Sequence, residues 1–300
     1  MTIRHLKIFI AVCEYGKMST AAKKLHISQP SVSQAIAQIE QYYGIKLFER
    51  LSKKLYITEA GQRLLNYARH IVALFDEMDK NMNNEAKNIT LKIGATITVG
   101  TCVLNDILQS FESRHEDVET KIFIQNTHII EEMILRSELD VGMVEGDIKS
   151  QDIVKIPILS DELVLVCSSS HELSKFKSID IKKLQNLDFI LREKGSGTRE
   201  LFENALDRAG VTVNEKWVCN NSEAIKNAVI NNQGLTVISK MLVEKELKEK
   251  KLHTISINNV KLTRKFHVAY HKNKYLSDPL KSFIQTCIHC SRTQETACRS

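Results

Sequence analysis

Between Ser19 and Tyr43 the chain carries two short helical patterns joined by a tight polar turn, and this segment constrains the fold more than any other. Ala21, Ala22 and Leu25 face inward on the first pattern, which Ser19 is placed to cap. The second starts at Ser28, with Pro30 tolerated in its first turn. Val32, Ala35, Ile36 and Ile39 then form an apolar stripe that leaves Ser31, Ser33, Gln34 and Gln38 projecting outward. That outer face holds no carboxylate, and uncharged hydrogen-bonding side chains suit base edges better than they suit an ordinary solvated face of mixed Glu and Lys. The arrangement is the sequence form of a DNA-reading helix-turn-helix; an ordinary helical hairpin is the alternative on this segment alone.

The residues that follow favour the first reading. Between Gly44 and Gly61, Leu55 and Ile57 alternate as in a short strand, behind the basic residues Arg50, Lys53 and Lys54, which reads as a wing. The candidate DNA-binding set is therefore Gln29, Pro30, Ser31, Ser33, Gln34, Arg50, Lys53 and Lys54. The first 60 residues hold nine Lys or Arg against four Glu, while the whole chain carries only +6. Charge concentrated in the first fifth of the chain points to a polyphosphate partner, double-stranded DNA, rather than to solubility alone.

A family resemblance emerges here. The first helix (Leu6, Phe9, Ile10, Cys13), the Ala-Ala helix, Ser28-Gln29-Pro30-Ser31-Val32-Ser33, Leu47-Phe48-Glu49-Arg50 and Thr58-Glu59-Ala60-Gly61 together resemble the LysR-type transcriptional regulators. The resemblance extends over roughly residues 3 to 290. Gln34 stands where many members carry Arg. The resemblance implies an N-terminal winged helix-turn-helix, a long linker helix and a two-lobed α/β effector-binding domain like a type 2 periplasmic binding protein. It also implies a cytoplasmic homodimer or homotetramer that regulates transcription with RNA polymerase, and that is not an enzyme and needs no cofactor or metal.

Composition agrees with this. Three hundred residues, 43% of them apolar, suffice for a small domain plus one or two α/β lobes. No apolar run reaches membrane-spanning length and the N-terminus has no export signal, so a soluble, cytosolic protein is expected. Cys13, Cys102, Cys167 and Cys219 lie scattered in apolar segments, as reduced core thiols do. From Thr58 to about Glu85, Leu64, Ala68, Ile71, Phe75, Met78 and Met82 recur at alternating spacings of four and three, which is a heptad seam for a dimer-forming helix or the face of a lone amphipathic helix. Residues 81–88 read as a hinge. The expected division is a DNA-binding domain over 1–58, a linker and hinge over 59–87, and an effector-binding domain over 88–300.

From Leu91 strands and helices alternate: strands at 91–95, 118–124, 140–145, 153–159, 163–167, 189–191, 234–238 and 266–270, with Trp217 as another, and helices from about Gly100, Thr127, after Gly197, from Ser222 and over 242–248. Such alternation predicts parallel sheets with ligands outside the carboxyl ends of the strands. By the resemblance, one lobe covers about 88–161 and 266–292 and the other about 162–265, with crossings near Asp161 and Arg264. Four strand-to-helix junctions offer effector groups: Thr96, Thr98, Val99 and Gly100; Asn126; Gly195, Ser196, Gly197, Thr198 and Arg199; and Ser222. Each alone is also an ordinary helix cap, and Arg199 could equally face solvent. The Gly195–Arg199 run lacks the spacing of a nucleotide-hydrolysing P-loop. With Ser222-Glu223-Ala224-Ile225-Lys226 it resembles the branch of the family that controls sulfur or carbon assimilation through small anionic metabolites. Cys287, His289, Cys290 and Cys298 could bind zinc or form a redox pair, though one Cys-x-x-Cys is half a usual site and a polar terminus commonly frays. A solute-binding protein would need an export signal and no basic N-terminal domain, and no nucleophile, base and orienter can be assembled for an enzyme.

Overall fold

A computed structural model describes residues 1–51, 54–82 and 89–297. The chain forms two compact units, one built on the N-terminal segment and the other on the chain from Ile89 onward, with Leu135–Glu138 and Asn273–Tyr275 grouped with the first.

The N-terminal unit contains α1 (Ile3–Tyr15), α2 (Met18–Lys24), α3 (Gln29–Tyr43), a hairpin of β1 (Phe48–Leu51) and β2 (Lys54–Ile57), and α4 (Glu59–Met82). Phe9, Val12, Ala21, Val32, Ile36, Ile39 and Leu47 close its core, so the apolar stripe expected on α3 is the buried one. The tight turn between α2 and α3 is made by His26 at φ 54°, a left-handed conformation costly for a side chain. Ser28 caps α3 by accepting from the Ser31 N–H at 3.2 Å. Ser19 is not the cap of α2: the helix begins one residue earlier, and Lys17, which makes no side-chain cap bond, occupies that position. The wing pairs in antiparallel register, Phe48 opposite Ile57 and Leu51 opposite Lys54.

Part of the seam expected on α4 is turned inward. Ala68 is fully buried in the core of its own unit together with Leu65, and Leu64 and Phe75 are half-buried. Packing on the rest of the helix-turn-helix unit uses that side, so the exposed apolar stripe consists of Tyr67, Ile71, Leu74, Met78 and Met82. Of the hinge expected over 81–88, residues 81 and 82 belong to α4 and 83–88 lie outside the described residues.

The C-terminal unit runs β3 (Ile89–Thr96), α5 (Ile97–Cys102), α6 (Leu104–Glu112), β4 (Val118–Gln125), α7 (Thr127–Leu135), β5 (Val141–Glu145), β6 (Ile153–Ser168), β7 (Ser178–Ile179), β8 (Asp188–Leu191), α8 (Gly197–Ala209), β9 (Asn214–Val218), α9 (Ser222–Ile230), β10 (Thr236–Ser239), α10 (Lys240–Lys248), β11 (Leu252–Ile257), β12 (Thr263–His271) and α11 (Asp278–Ala297). The two strands expected over 153–167 are one 16-residue strand, β6, and the first helix starts at Ile97 rather than near Gly100. The sheets are mixed rather than purely parallel. β3 pairs in parallel with β4 and β5, and β8 with β9, whereas β6 runs antiparallel to β10, β11 and β12. One eight-stranded sheet thus passes through both lobes by way of β6 and β12.

Separate cores flank that passage. One gathers Ile93, Val99, Ile107, Phe111, Met143, Phe266 and Phe283, a second Leu163, Leu165, Phe189, Phe202, Leu206 and Leu235, and a third Val166, Ile190, Ile225, Val229, Ile238 and Val243. The C-terminal segment is helical as far as Ala297, with Cys287 buried against Met143 at 3.9 Å between the sulfurs. Cys298 lies outside the described residues. Among the described residues, no cluster of three or more His, Cys, Asp or Glu side chains could hold a metal ion, and no helix is long and apolar enough to cross a membrane.

Glu40 ties the end of α3 to the wing, accepting from the Leu47 N–H at 2.8 Å and from Lys46 Nζ at 2.9 Å. Burial would raise its pKa, but the bonds from Lys46 and the Leu47 and Phe48 N–H groups outweigh it and hold the carboxyl below its ordinary value of 4.5. A depressed carboxylate contributes stability above its ordinary pKa and loses it as pH falls through the folded value. Glu40→Gln is therefore expected to cost about 1–2 kcal/mol at neutral pH in urea unfolding. The gap between variant and wild type should narrow under acid conditions, and a gap independent of pH would show that the carboxylate's charge is not involved.

Candidate DNA-reading face and effector cleft

On α3, Gln29, Pro30, Ser31 and Gln34 are exposed and Ser33 is half-buried, while Ser31 Oγ lies 2.8 Å from Ser28 Oγ within the cap. Gln38, further along the same helix, is engaged by His5 at 2.8 Å. The outer face thus presents uncharged donors and acceptors at its N-terminal end, the end that contacts base edges when such a helix enters a major groove. Lys23 and Lys24 stand exposed in the last turn of α2. The side chains of Arg50 and Lys54, and all of Lys53, lie outside the described residues.

In the C-terminal unit the central feature is a buried guanidinium. Arg264, at the start of β12, stands opposite Asp161 of β6 where the two strands pass from one lobe to the other. Its Nε donates to Asp161 Oδ2 at 2.7 Å and its Nη2 lies 2.7 Å from the same oxygen. Nη1 donates to Thr198 Oγ1 at 2.8 Å and Nη2 to Thr98 Oγ1 at 3.2 Å. Ser239 completes Asp161 with a hydroxyl donated to Oδ1 at 2.6 Å. Thr98 belongs to the first turn of α5 and Thr198 to the first turn of α8, so one side chain joins helix starts rooted in the first and second cores.

Glu145 ends β5 in the same place, with its Oε2 3.1 Å from Arg264 Nη2. Although close, that oxygen accepts no aligned hydrogen bond. Nη2 has two hydrogens and faces three acceptors, Asp161, Thr98 and Glu145, and Glu145 is the one left without.

The backbones of the lobes meet beside this cluster. A Cβ on Gly197 would sit 2.8 Å from the Glu145 carbonyl oxygen and one on Gly146 would sit 2.9 Å from the Gly197 Cα, so both positions exclude a side chain. The His128 N–H donates to the Gly195 carbonyl at 3.3 Å, with Asn126 alongside and its Oδ1 capping α7 through the Ile129 N–H at 3.0 Å. At the junctions that carry Thr98 and Thr198 the buried hydroxyls of Thr96 and Ser196 have no hydrogen-bond partner, and neither has that of Ser222 at the start of α9. Native structures leave few such groups, and they call for an explanation such as a ligand or water.

Among the residues expected to bind an effector, Thr98 and Thr198 hold Arg264 and Gly197 closes against Glu145; Thr96 and Ser196 adjoin them in sequence, and Gly195 lies beside Asn126. Ser222 sits apart at the start of α9. Val99 points into the first core, and Gly100 packs against Ile124, where a Cβ would come within 2.9 Å of the Ile124 side chain. Arg199 is neither a solvent-facing group nor free for a ligand. Its guanidinium is bound by Glu203 at 2.7 Å, Glu215 at 2.5 Å and the Arg192 carbonyl at 3.0 Å, which makes it an anchor of the loop. Sequence reasoning missed Glu145 and Ser239, and placed Asp161 and Arg264 at crossings without pairing them. A Glu closing the wholly apolar run Val141–Val144 was the available signal for the first.

Comparison with known proteins assigns the family. Residues 3–62 match the model described as bacterial regulatory helix-turn-helix protein, lysR family, and residues 85–290 match the LysR substrate binding domain. The chain belongs to the LysR family of transcriptional regulators. It is 31% identical to the HTH-type transcriptional regulator CysL of Bacillus subtilis, over 92% of this chain and 90% of that one. Identity to the RuBisCO operon transcriptional regulator of Allochromatium vinosum is 28%, covering 94% of each chain. Among solved structures, the regulatory domain of Synechocystis PCC6803 CcmR in complex with 2-PG superposes with a TM-score of 0.63 at 26% identity, covering 68% of this chain and 97% of that one. The LysR family consists of DNA-binding regulators with a ligand-binding domain, not of enzymes. Burial pushes the Cys102 thiol up to about 11, with the charges of Asp161 and Glu145 adding to the effect, so it is mostly protonated at neutral pH.

Arg264→Met would strand two buried carboxylates. Breaking a buried pair in this way is expected to cost about 3–5 kcal/mol. Denaturant unfolding of the full chain reads this loss, and a cost below about 1 kcal/mol would show that Asp161 and Glu145 are compensated by other groups.

Proposed function

We propose that this LysR-family regulator reads a two-fold operator as a dimer through α3 and the wing, and that its effector is a small metabolite bearing an anionic group, held between the lobes. The observation that carries the effector reading is the pair of buried, unpartnered hydroxyls on Thr96 and Ser196, at strand-to-helix junctions of the two lobes that also present the Arg264-bound threonines. Hydroxyls and the N–H groups at the start of the 13-residue α8 donate to oxyanions, and a ligand contacting both lobes shifts their arrangement by as much as its affinity differs between arrangements. Similarity to the RuBisCO operon regulator supports target genes in carbon assimilation, sulfur assimilation being the other branch that the Gly195–Arg199 run resembles, and similarity to the CcmR domain in complex with 2-PG supports a small-molecule effector. Self-association through the exposed stripe of α4 gives the two-fold symmetry that such operators mirror, and RNA polymerase is the further partner of a regulator of this kind.

The experiments separate the parts. Gln29→Ala, Ser33→Ala or Gln34→Ala should each cost about 1–3 kcal/mol of discrimination between operator and random DNA in fluorescence-anisotropy titrations, whereas Arg50→Ala, Lys53→Ala or Lys54→Ala should weaken all sequences and flatten the salt dependence. Equal losses on both DNAs for all three α3 variants would remove that helix from sequence readout. Ile71→Asp with Leu74→Asp should yield monomers by light scattering, since charge would be buried in the stripe. A thermal-shift series with sulfate, phosphate and 2-PG tests the cleft. Ser196→Ala and Thr98→Val should each abolish the shift given by any of these that binds, and an unchanged shift in both variants would move the site elsewhere.

A further inference from the structure

We infer that the effector of this cleft carries a cationic nitrogen as well as its acidic group, as a small amino acid or other amine-bearing acid does, and that Glu145 is the residue that selects it. The inference rests on the cleft being the effector site. Its starting point is a charge count. Among the described residues Arg264 is the single cation paired with both Asp161 and Glu145, and the three side chains are almost wholly buried, at 4%, 0% and 2% exposed. Asp161 is fully satisfied, by the guanidinium on one oxygen and Ser239 on the other. Glu145 has only a Coulombic contact to a guanidinium already committed to other acceptors. The cluster therefore holds a surplus negative charge, with an unsatisfied carboxylate oxygen away from water, an expensive arrangement that a ligand ammonium would relieve.

The other half of the ligand follows from the neighbours. The Glu145 carbonyl lies against Gly197, the residue after Ser196, and Thr98 shares the Arg264 Nη2 with Glu145. The unpartnered hydroxyls of Ser196 and Thr96 stand one position from Gly197 and two from Thr98, the residues that bring these junctions to the Glu145 backbone and to Arg264. A zwitterion with its acidic group on the hydroxyls and its ammonium on Glu145 satisfies both kinds of orphan at once. A simple dianion satisfies only the hydroxyls and meets the surplus negative charge.

The test uses matched acids on the full-length protein: L-serine against glycerate, L-alanine against lactate, and glycine against glycolate, each at about 10 mM, well above a millimolar dissociation constant. The amino member of at least one pair is expected to raise the melting midpoint and to bind at least about tenfold more tightly by calorimetry than its hydroxy partner. Glu145→Gln should erase that preference while retaining a folded domain. In the absence of ligand Glu145→Gln should leave the midpoint unchanged or raise it, whereas Asp161→Asn should lower it. Three results overturn the inference: hydroxy acids binding as tightly as their amino partners, no amino member shifting the midpoint, or Glu145→Gln destabilising the free protein as much as Asp161→Asn does. Failure of the cleft reading itself looks different, because amino acids would then bind with a preference that neither Ser196→Ala nor Glu145→Gln alters.

Discussion

The pairing of Arg264 with Asp161 is the constraint on which the C-terminal unit depends. These residues face one another on β12 and β6, the two strands that carry the sheet from one lobe to the other. A guanidinium and a carboxylate out of water lose several kcal/mol of hydration each, and only close geometry with every remaining donor filled returns it. The remaining donors decide the local architecture. Nη1 and Nη2 require acceptors on both sides, and Thr98 and Thr198 provide them from the first turns of α5 and α8. The starts of these helices are therefore fixed by the same side chain that fixes the crossing strands, and any ligand reaching them acts on the crossing directly.

Glycine at 146 and 197 serves the same closure from the backbone side. With a side chain at either position the end of β5 could not approach the start of α8, and Glu145 would be drawn away from Arg264. The approach leaves hydroxyls and one carboxylate oxygen buried without partners. A fold selected for stability alone would replace Ser196 or Thr96 by an apolar residue of similar size. Local departures from full satisfaction of polar groups are the expected mark of a binding site, where stability has been exchanged for function.

Much of this was legible in the sequence, and the failures have specific causes. The stripe on α3 and the alternation of β2 are local patterns with one period each, and they read correctly because the N-terminal unit has a single small core. The seam on α4 was only partly legible because two faces of that helix are apolar: Ala68 is taken up by the core with Leu65 while Ile71, Met78 and Met82 stay exposed, and spacing cannot say which face packs internally. Arg199 and Arg264 show the same limit for charge. Both are buried, but the partners that occupy Arg199, Glu203 and Glu215, and those that join Arg264 to Thr98 and Thr198, meet only after folding. Thr96 and Ser196, whose hydroxyls are buried without partners, were singled out from their place at strand ends, and Glu145 was passed over because an apolar strand gives no reason for its last residue to turn inward.

In the N-terminal unit, charge and readout are divided among different elements. The exposed part of α3 is built from Gln and Ser, which discriminate between bases but neutralise no phosphate. The positive excess of the first 60 residues is carried instead by the lysines of α2 and the basic residues of the wing, while Lys46 is already paired with Glu40. Counterion release contributes a slope of about 0.9 per neutralised phosphate to the salt dependence, whatever the sequence bound. In the proposed mode of DNA reading, affinity is thereby set by groups flanking the recognition helix and specificity by the helix itself. An uncharged side chain at position 34 shifts that balance toward specificity, because a residue contributing no phosphate attraction adds to operator binding only when its hydrogen bonds find the right base edge.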